Sequence, residues 1–398
     1  MLTVSRTTPA PVFSKTWARF FDEAVPAFIK DRFSPRQAWR SRPFGEKDLE
    51  HHLPAIAELS NKFTQPRSGP PRAARKVGGY LSQPRLFIGY LLYFLPLQAA
   101  KLTAILQTHP RVLEPLLVRD PAGPPISILD LGAGPATASL AVLLELDRRA
   151  ALAGRALPRV ELVLVDRSSE ALEAGAWLLD ALIRLVPGFA ARVSVDLVAR
   201  PLEDAAAGPR HLVLLAGVLN ELSMRSEPRT LALMEGLVRA SEPDGAGIVI
   251  LEPAEHHAAQ SLAGLRDALV DRAGARLAGP CLHNGPCPLS SGKDWCHFSA
   301  PAKLPLKWFD RISRALAGAS KQWLKYSYLW LAAPGARLAA PHAQDRLVVS
   351  EPIKTPGAPL VLVCEPERVG RVEVPRAIRE LHRGDLVRVA PDGVGPGE

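Results

Sequence analysis

An α/β fold built on a parallel central sheet is what the middle of this sequence predicts, and three observations predict it. Short apolar runs alternate with longer amphipathic stretches between residues 126 and 273, the pattern of strands joined by crossover helices. The first apolar run closes on a glycine-rich turn, Asp130-Leu131-Gly132-Ala133-Gly134-Pro135, that opens into a helix. A second carboxylate, Asp166, stands at the end of the next apolar run, 32 residues after Gly134.

The elements follow in order. Residues 15–60 read as helical, with Trp17, Phe20, Phe21, Val25 and Phe28 at helical spacing. Segment 64–76, rich in Pro, Arg and Gly, reads as an exposed loop, and residues 77–108 return to helical character. Pro121–Pro125 is a linker. Strands are expected at Ile126–Leu131, Arg159–Asp166, Val193–Ala199, His211–Gly217 and Gly247–Leu251, with helices at Ala136–Ala150, Ser168–Val186, Pro228–Ala240 and Glu255–Ala273. A cysteine-bearing stretch then breaks the alternation. Trp323–Leu331, Leu347–Val349 and Leu360–Cys364 are expected to complete the sheet. The predicted organisation is a basic helical region over 1–120, a nucleotide-binding core over 121–275 and a Cys-rich insertion over 276–300. Completion of the sheet over 301–366 and a β appendage with a tail over 367–398 follow.

At 398 residues and 47% apolar composition, the chain exceeds one ordinary core and is not wholesale disordered. The net charge of +9 is uneven. Residues 1–120 carry 18 Lys and Arg against 9 Asp and Glu, residues 121–300 carry 16 against 21, and residues 301–398 carry 15 against 10. Basic arms around an acidic core suit a polyanion such as RNA, which Lys and Arg bind by releasing phosphate counterions. The plain alternative is solubility charge in an Arg-rich chain. The longest apolar run, Leu86–Leu97, is shorter than a membrane span and contains Pro96, so no membrane partner is expected. The first 21 residues are basic and free of acids, weakly like an organelle transit peptide, and without the apolar core of a secretory signal. A bacterial protein of this kind is expected in the cytoplasm, a eukaryotic one in the mitochondrion.

The glycine turn narrows the fold class. Glycines are needed where a Cβ would strain the bend or collide with a ligand, and the following helix starts with free amides facing an anionic or polar group. Thr137 occupies the third glycine position of G-x-G-x-x-G. That departure argues against a dinucleotide site and for an S-adenosylmethionine turn, giving a Rossmann-like class I methyltransferase fold. Asp130 then orients the turn or reaches the methionine amino group through water. Asp166 faces the ribose hydroxyls, and Glu203 and Asp204 lie within reach of the adenine amino group. Gly132, Ala133, Gly134 and Pro135 form the cradle. After the fourth strand, Asn220 and Glu221 are the weak catalytic candidates, an orienting amide and a base. A helix or loop cap at Asn220 and a solvated Glu221 account for the same residues. No Asn/Asp-Pro-Pro-Tyr run is present, and no cysteine lies near this position.

The chain has four cysteines, Cys281, Cys287, Cys296 and Cys364, three of them within 16 residues. Without a secretory signal, a disulfide framework is not expected. Gly285, Pro286, Pro288 and Gly292 keep the segment irregular, able to wrap a small object. Four thiolates suit a [4Fe–4S] cluster or structural zinc. The spacings of five and eight intervening residues are wider than the C-x₂-C knuckle of zinc sites and favour the bulkier cluster. His283 and His297 are further nitrogen candidates, and four buried unligated thiols are the alternative to any metal.

Together these residues resemble the methyltransferase-like mitochondrial small-ribosomal-subunit proteins and assembly factors, with their bacterial relatives. The resemblance rests on DLGAGPAT at 130–137, LNEL at 219–222, Pro-Cys-Pro at 286–288, Trp-Cys-His-Phe at 295–298, and Cys364. It covers roughly Ile126 to Cys364. It implies a methyltransferase fold, a [4Fe–4S] cluster on Cys281, Cys287, Cys296 and Cys364, a cofactor pocket at Asp130, Gly132, Gly134 and Asp166, and association with the small ribosomal subunit and its rRNA. Arg36, Arg40, Arg72, Arg75 and Lys76 are then phosphate contacts, and Trp308, Trp323 and Tyr326 are stacking candidates or core residues. An active methyltransferase on rRNA or a ribosomal protein, and a small-molecule methyltransferase with a zinc clip, are the competing expectations.

Overall fold

Apolar runs of five to seven residues become strands here because crossover helices cover both of their faces. The computed structural model describes residues 2–6, 9–33, 42–64, 81–204, 208–219, 228–375, 378 and 381–389. The candidates Asn220, Glu221, Arg36, Arg40, Arg72, Arg75 and Lys76 lie outside the described residues.

A short strand, Leu2–Arg6 (β1), opens the chain. Helix Lys15–Arg19 (α1) is capped by the Ser14 hydroxyl, which accepts from the Trp17 amide at 3.1 Å. It passes through a π turn, Phe20–Ala24, into Val25–Phe33 (α2). Glu46–Thr64 (α3) follows. Pro84–Gly89 (α4), a second π turn Tyr90–Phe94, and Leu95–Thr108 (α5) form one continuous helix. This helix continues through Pro96, whose missing N–H falls directly after the π turn Tyr90–Phe94, where the backbone hydrogen-bond pattern already shifts. By length and composition its 25 residues could cross a membrane, in contrast to the shorter run read from the sequence. Its most apolar window is 72% buried inside the protein, which makes it a core helix. Pro110–Leu117 (α6) leads to the sheet.

The main sheet contains Ile126–Leu131 (β2), Val160–Asp166 (β3), Val193–Ala199 (β4), Leu212–Ala216 (β5), Gly247–Glu252 (β6), Arg276–Gly279 (β7), Phe298–Pro301 (β8) and Trp323–Ala332 (β9). The crossover helices are Thr137–Leu152 (α7), Ser169–Leu185 (α8), Pro228–Ala240 (α9) and His256–Ala273 (α10). Phe309–Ala317 (α11) precedes β9. The strand order is β4-β3-β2-β5-β6-β9-β7, with β8 paired to β9. Strands β2 to β6 are parallel, and β9 runs antiparallel between β6 and β7. One large apolar cluster joins the N-terminal helices, α7 and α8 to one face, and a second packs α9 and α10 on the other.

The remaining strands depart from expectation. Asp345–Val348 (β10) and Leu360–Glu365 (β11) do not complete the main sheet. They join Arg368–Glu373 (β12), Leu386–Val389 (β13) and β1 in a separate antiparallel sheet ordered β1-β13-β10-β11-β12. Alternating burial along β11 shows why: one face packs and the other meets less covered surroundings, whereas β6 is buried at every position. The appendage therefore begins near residue 345, and the first residues of the chain pair with the last described ones.

Trp330 on β9 is fully buried and donates its indole N–H to the Ala246 carbonyl at 2.6 Å. Trp330→Ala is expected to lower the free energy of unfolding by about 3–5 kcal/mol, read as a lower urea midpoint. An unchanged midpoint would show that β9 is not part of the cooperative core.

Candidate functional site

The register of β2 on β3 builds the glycine turn. Leu131 pairs with Val165, so the next residues curl over the end of β3. The Gly132 and Ala133 amides donate to the Val165 carbonyl at 2.8 and 3.0 Å. Gly132 has φ +66°, and a Cβ there would lie 2.5 Å from Val218 Cγ2. Gly134 has φ +50° with open space where its Cβ would be, and it donates its amide to Asp166 Oδ2 at 2.9 Å. The other Asp166 oxygen accepts from the Ser168 amide at 2.8 Å. Each oxygen keeps lone pairs for a ligand. Ala136 also sits in the left-handed region, at φ +59°, immediately before α7.

Asp130 is held by the helix that follows the turn. It is 1% exposed, and Oδ2 accepts from both the amide and the hydroxyl of Ser139, at 3.1 and 2.7 Å. This carboxyl ties the end of β2 to the first turn of α7. Burial, against the pull of the Ser139 hydrogen bonds, raises its pKa to about 7, with Asp166 adding repulsion.

Above the turn lies a cavity of about 620 Å³. Asp130, Gly132, Ala133, Gly134, Pro135, Asp166 and Glu203 all line it. Asp204 is on the same single turn as Glu203, Leu202–Asp204, but is not in the wall. The opposite wall comes from the N-terminal helices: Tyr90, Tyr93, Phe94, Leu97 and Lys101 share one face of the long helix. The Tyr90 hydroxyl lies 3.2 Å from Thr137 Oγ1, joining the π turn to the start of α7. None of these wall residues was singled out in the sequence. Their i, i+4, i+7, i+11 spacing from Tyr90 was legible, but the side of the helix facing a ligand was not.

The cysteine segment runs between β7 and β8, and Cys364 sits on β11. All four thiols are free and partly buried, and every pair among them is close enough to interact electrostatically. Burial raises each thiol above its ordinary value, and repulsion from neighbouring cysteines adds to this at Cys287, Cys296 and Cys364. Cys287 reaches about 11. His283 Nε2 is 3.5 Å from Cys364 Sγ, while His297 turns to the Trp295 carbonyl at 3.3 Å. Arg266, buried on α10, donates to the Gly285 and His283 carbonyls at 2.5 Å each and ion-pairs with Asp267. Among the described residues, the buried Arg266 Nε and His283 Nδ1 lack a well-formed hydrogen bond. Among the described residues, no group of three or more His, Cys, Asp or Glu side chains is arranged to hold a metal ion as it stands. Of the aromatic candidates, Tyr326 is a core residue at 1% exposure and cannot stack on a base. Trp323 is exposed, and Trp308 is partly buried beneath the Lys307 ammonium at 4.4 Å.

Five parallel strands, an antiparallel strand inserted before the last one, and the glycine turn at the central crossover define a class I S-adenosylmethionine-dependent methyltransferase fold. The family model described as mitochondrial small ribosomal subunit Rsm22 matches residues 91–390, 300 of the 398 residues, and the chain belongs to that family. Among solved structures, the chain is similar to a Listeria monocytogenes protein assigned to the class I S-adenosylmethionine-dependent methyltransferases. The identity is 12%, with 82% of this chain and 90% of that one covered and a TM-score of 0.35. A Leishmania major S-adenosylmethionine-dependent methyltransferase matches at 14% identity, over 74% of this chain and 89% of that one, with a TM-score of 0.33. An O-methyltransferase family protein from Burkholderia thailandensis matches at 16%, over 50% and 53%, with a TM-score of 0.30. No curated protein matches the chain.

The raised pKa of Asp130 sets a pH dependence. Between its unfolded value near 4 and its folded value of about 7, the native state holds the extra proton, so stability falls as pH rises through that window. Asp130→Asn removes this titration. Unfolding midpoints measured from pH 4 to pH 8 are expected to fall more steeply for the parent than for the variant. Parallel profiles would show that Asp130 ionises normally.

Proposed function

We propose that this protein binds S-adenosylmethionine in the cavity over the glycine turn, carries a [4Fe–4S] cluster, and acts on the small ribosomal subunit through its rRNA during assembly or translation. The family match over 300 residues carries the small-subunit reading. The cofactor reading is supported by the cradle itself. Gly132 brings backbone where a Cβ would strike Val218, and Asp166, its two oxygens held by amides, lines the cavity. Asp166 would take the ribose hydroxyls, Glu203 the adenine edge, and the amides opening α7 the polar tail of the cofactor. Bound there, S-adenosylmethionine supplies an electrophilic methyl group.

The cluster reading rests on the donor set. Four thiols from two separated stretches lie within electrostatic range of one another, and burial with mutual repulsion disfavours their thiolates. A cationic iron–sulfur centre would reverse that balance. Cys281, Cys287, Cys296 and Cys364 would be its ligands, tying the β7–β8 segment to the appendage. Structural zinc shares this donor chemistry.

Methyl transfer to rRNA or a ribosomal protein is the second reading. The observation favouring it is that the cavity continues past the glycine turn to Lys101 and Lys321, beyond the residues assigned to the cofactor.

In a gradient of lysate from cells producing the tagged protein, the protein is expected to sediment with small-subunit fractions and to be released by salt. Free sedimentation at low and high salt would overturn the ribosomal reading. After anaerobic purification, iron and acid-labile sulfide are expected near four of each per chain, and both are expected to fall sharply in Cys364→Ser. One zinc per chain without sulfide would replace the cluster by a zinc clip, and the absence of any metal would leave only free thiols.

A further inference from the structure

Carboxylates predominate on one side of the cavity and ammonium groups on the other, with Arg167 beside Asp166 and Glu255 after β6 also in the wall. Asp166 ends β3 and Glu203 follows β4, both on one side of β2. On the other side, Lys321 lies just before β9. Because β9 is antiparallel to β6, its beginning stands at the edge where the parallel strands end. The path β2-β5-β6-β9 separates β9 from the glycine turn by about three strand spacings, ~14 Å across the sheet, and Lys321 lies beyond the Glu252–Ser327 pair that ends β6. Lys101, on α5, lines the same end, and it is close enough to Lys321 for the two ammonium groups to repel each other. Burial, with that repulsion, draws Lys101 down to about 8.

Neither ammonium makes a hydrogen bond or ion pair among the described residues, and no carboxylate offsets Lys101. Two like charges held together beside a cavity, one of them partly desolvated, are costly unless an anion joins them. The adenosyl cofactor reading fills the opposite end, from Asp166 across the glycine turn. Between the two ends the wall is aromatic: Phe63, Tyr90 and Phe94 line it, with Phe63 edge-on to Phe94 at 4.9 Å and Tyr90 stacked with it at 6.3 Å. A planar group on such a wall and an oxyanion at the lysines is the chemistry of a nucleotide.

We propose that Lys101 and Lys321 form an acceptor subsite for the phosphate of an RNA nucleotide, whose base lies against Tyr90 and Phe94. This inference rests on the cofactor reading only for what fills the acidic end. The phosphate subsite stands on its own residues.

The test is calorimetric titration of the full chain with two ligands, S-adenosylhomocysteine and uridine monophosphate, each with and without the other. Lys101→Gln and the more exposed Lys321→Gln are titrated alongside the parent, with thermal melts to confirm folding. Uridine monophosphate is expected to bind the parent with the cofactor product present. Each substitution is expected to weaken it by about tenfold while leaving S-adenosylhomocysteine affinity within about twofold. A short single-stranded RNA that binds more tightly than the mononucleotide, with the same lysine dependence, identifies the strand as the source of the phosphate. An equal response marks a free nucleotide and overturns the RNA assignment.

If S-adenosylhomocysteine binds but uridine monophosphate does not, the subsite is refuted and the cofactor reading survives. If the lysine variants lose S-adenosylhomocysteine instead, the pair holds the cofactor's carboxylate and the subsite is refuted. If S-adenosylhomocysteine fails to bind at all, the cofactor reading falls, and titration with the nucleotide alone decides the subsite.

Discussion

The pairing of Leu131 with Val165 governs the geometry of the cavity floor. It delivers the Gly132 and Ala133 amides to one carbonyl and the Gly134 amide to the Asp166 carboxylate. A one-residue slip would send every side chain of β2 to the other face and remove Asp166 from the turn. The chain guards this register on both sides. Burial at nearly every position of β2 fixes which way the strand faces, and Asp130 fastens the strand end to Ser139 on α7. Holding a carboxyl without exposure has a cost, visible in its raised pKa. The return is a turn whose glycines are held in left-handed conformations rather than merely permitted to adopt them.

Much of this was legible in the sequence. The boundaries of β2, β4 and α9 coincide with the expected ones, and those of β3, β5, β6, α7, α8 and α10 agree to within one or two residues. These elements have strong apolar periodicity and clear punctuation from Gly, Pro and Ser. Asp130, Gly132, Gly134 and Asp166 were legible because the turn demands those residue types at that spacing. Strand β1 was not, since five residues pair with a strand nearly the whole chain away, and nothing local announces such a partner. The four-residue strands β7 and β8 are too short for a period to show. Strands β10 and β11 were recognisable as strands, but sheet membership is a long-range property that apolar content alone does not encode. Arg266 was invisible for a similar reason. It is one arginine on an ordinary helix until folding places it beneath the cysteine segment.

The cysteine segment and the cavity share a wall. Trp295, next to Cys296, donates its indole N–H to the Ala254 carbonyl at 3.0 Å, and Ala254 lies between Pro253 and Glu255, which line the cavity. Gly292 is held from α10 by His256 and Gln260, at 3.1 and 3.0 Å. At the end of β6, Glu252 accepts from the Leu219 amide at 2.9 Å and so fixes the loop after β5, where Gly217 and Val218 also line the cavity. Val218 is the side chain that leaves no room for a Cβ at Gly132.

A continuous set of contacts therefore runs from Cys296 through Trp295, the end of β6 and Val218 to the glycine turn. The cysteine segment has little regular structure of its own, so its shape depends on tertiary contacts such as those from Arg266 beneath it. Whatever fixes the thiols also fixes Trp295, and through it the backbone on either side of Ala254. The proposed inorganic centre would act there as a fastener in the cavity wall, even though none of the four cysteines lines the cavity. The same contacts give the appendage a part in the site, because Cys364 belongs to β11 and Arg383 of the β12–β13 connection reaches the Trp295 carbonyl at 3.4 Å. The small sheet at the chain ends is thus joined to the cofactor-binding fold through the segment that separates β7 from β8.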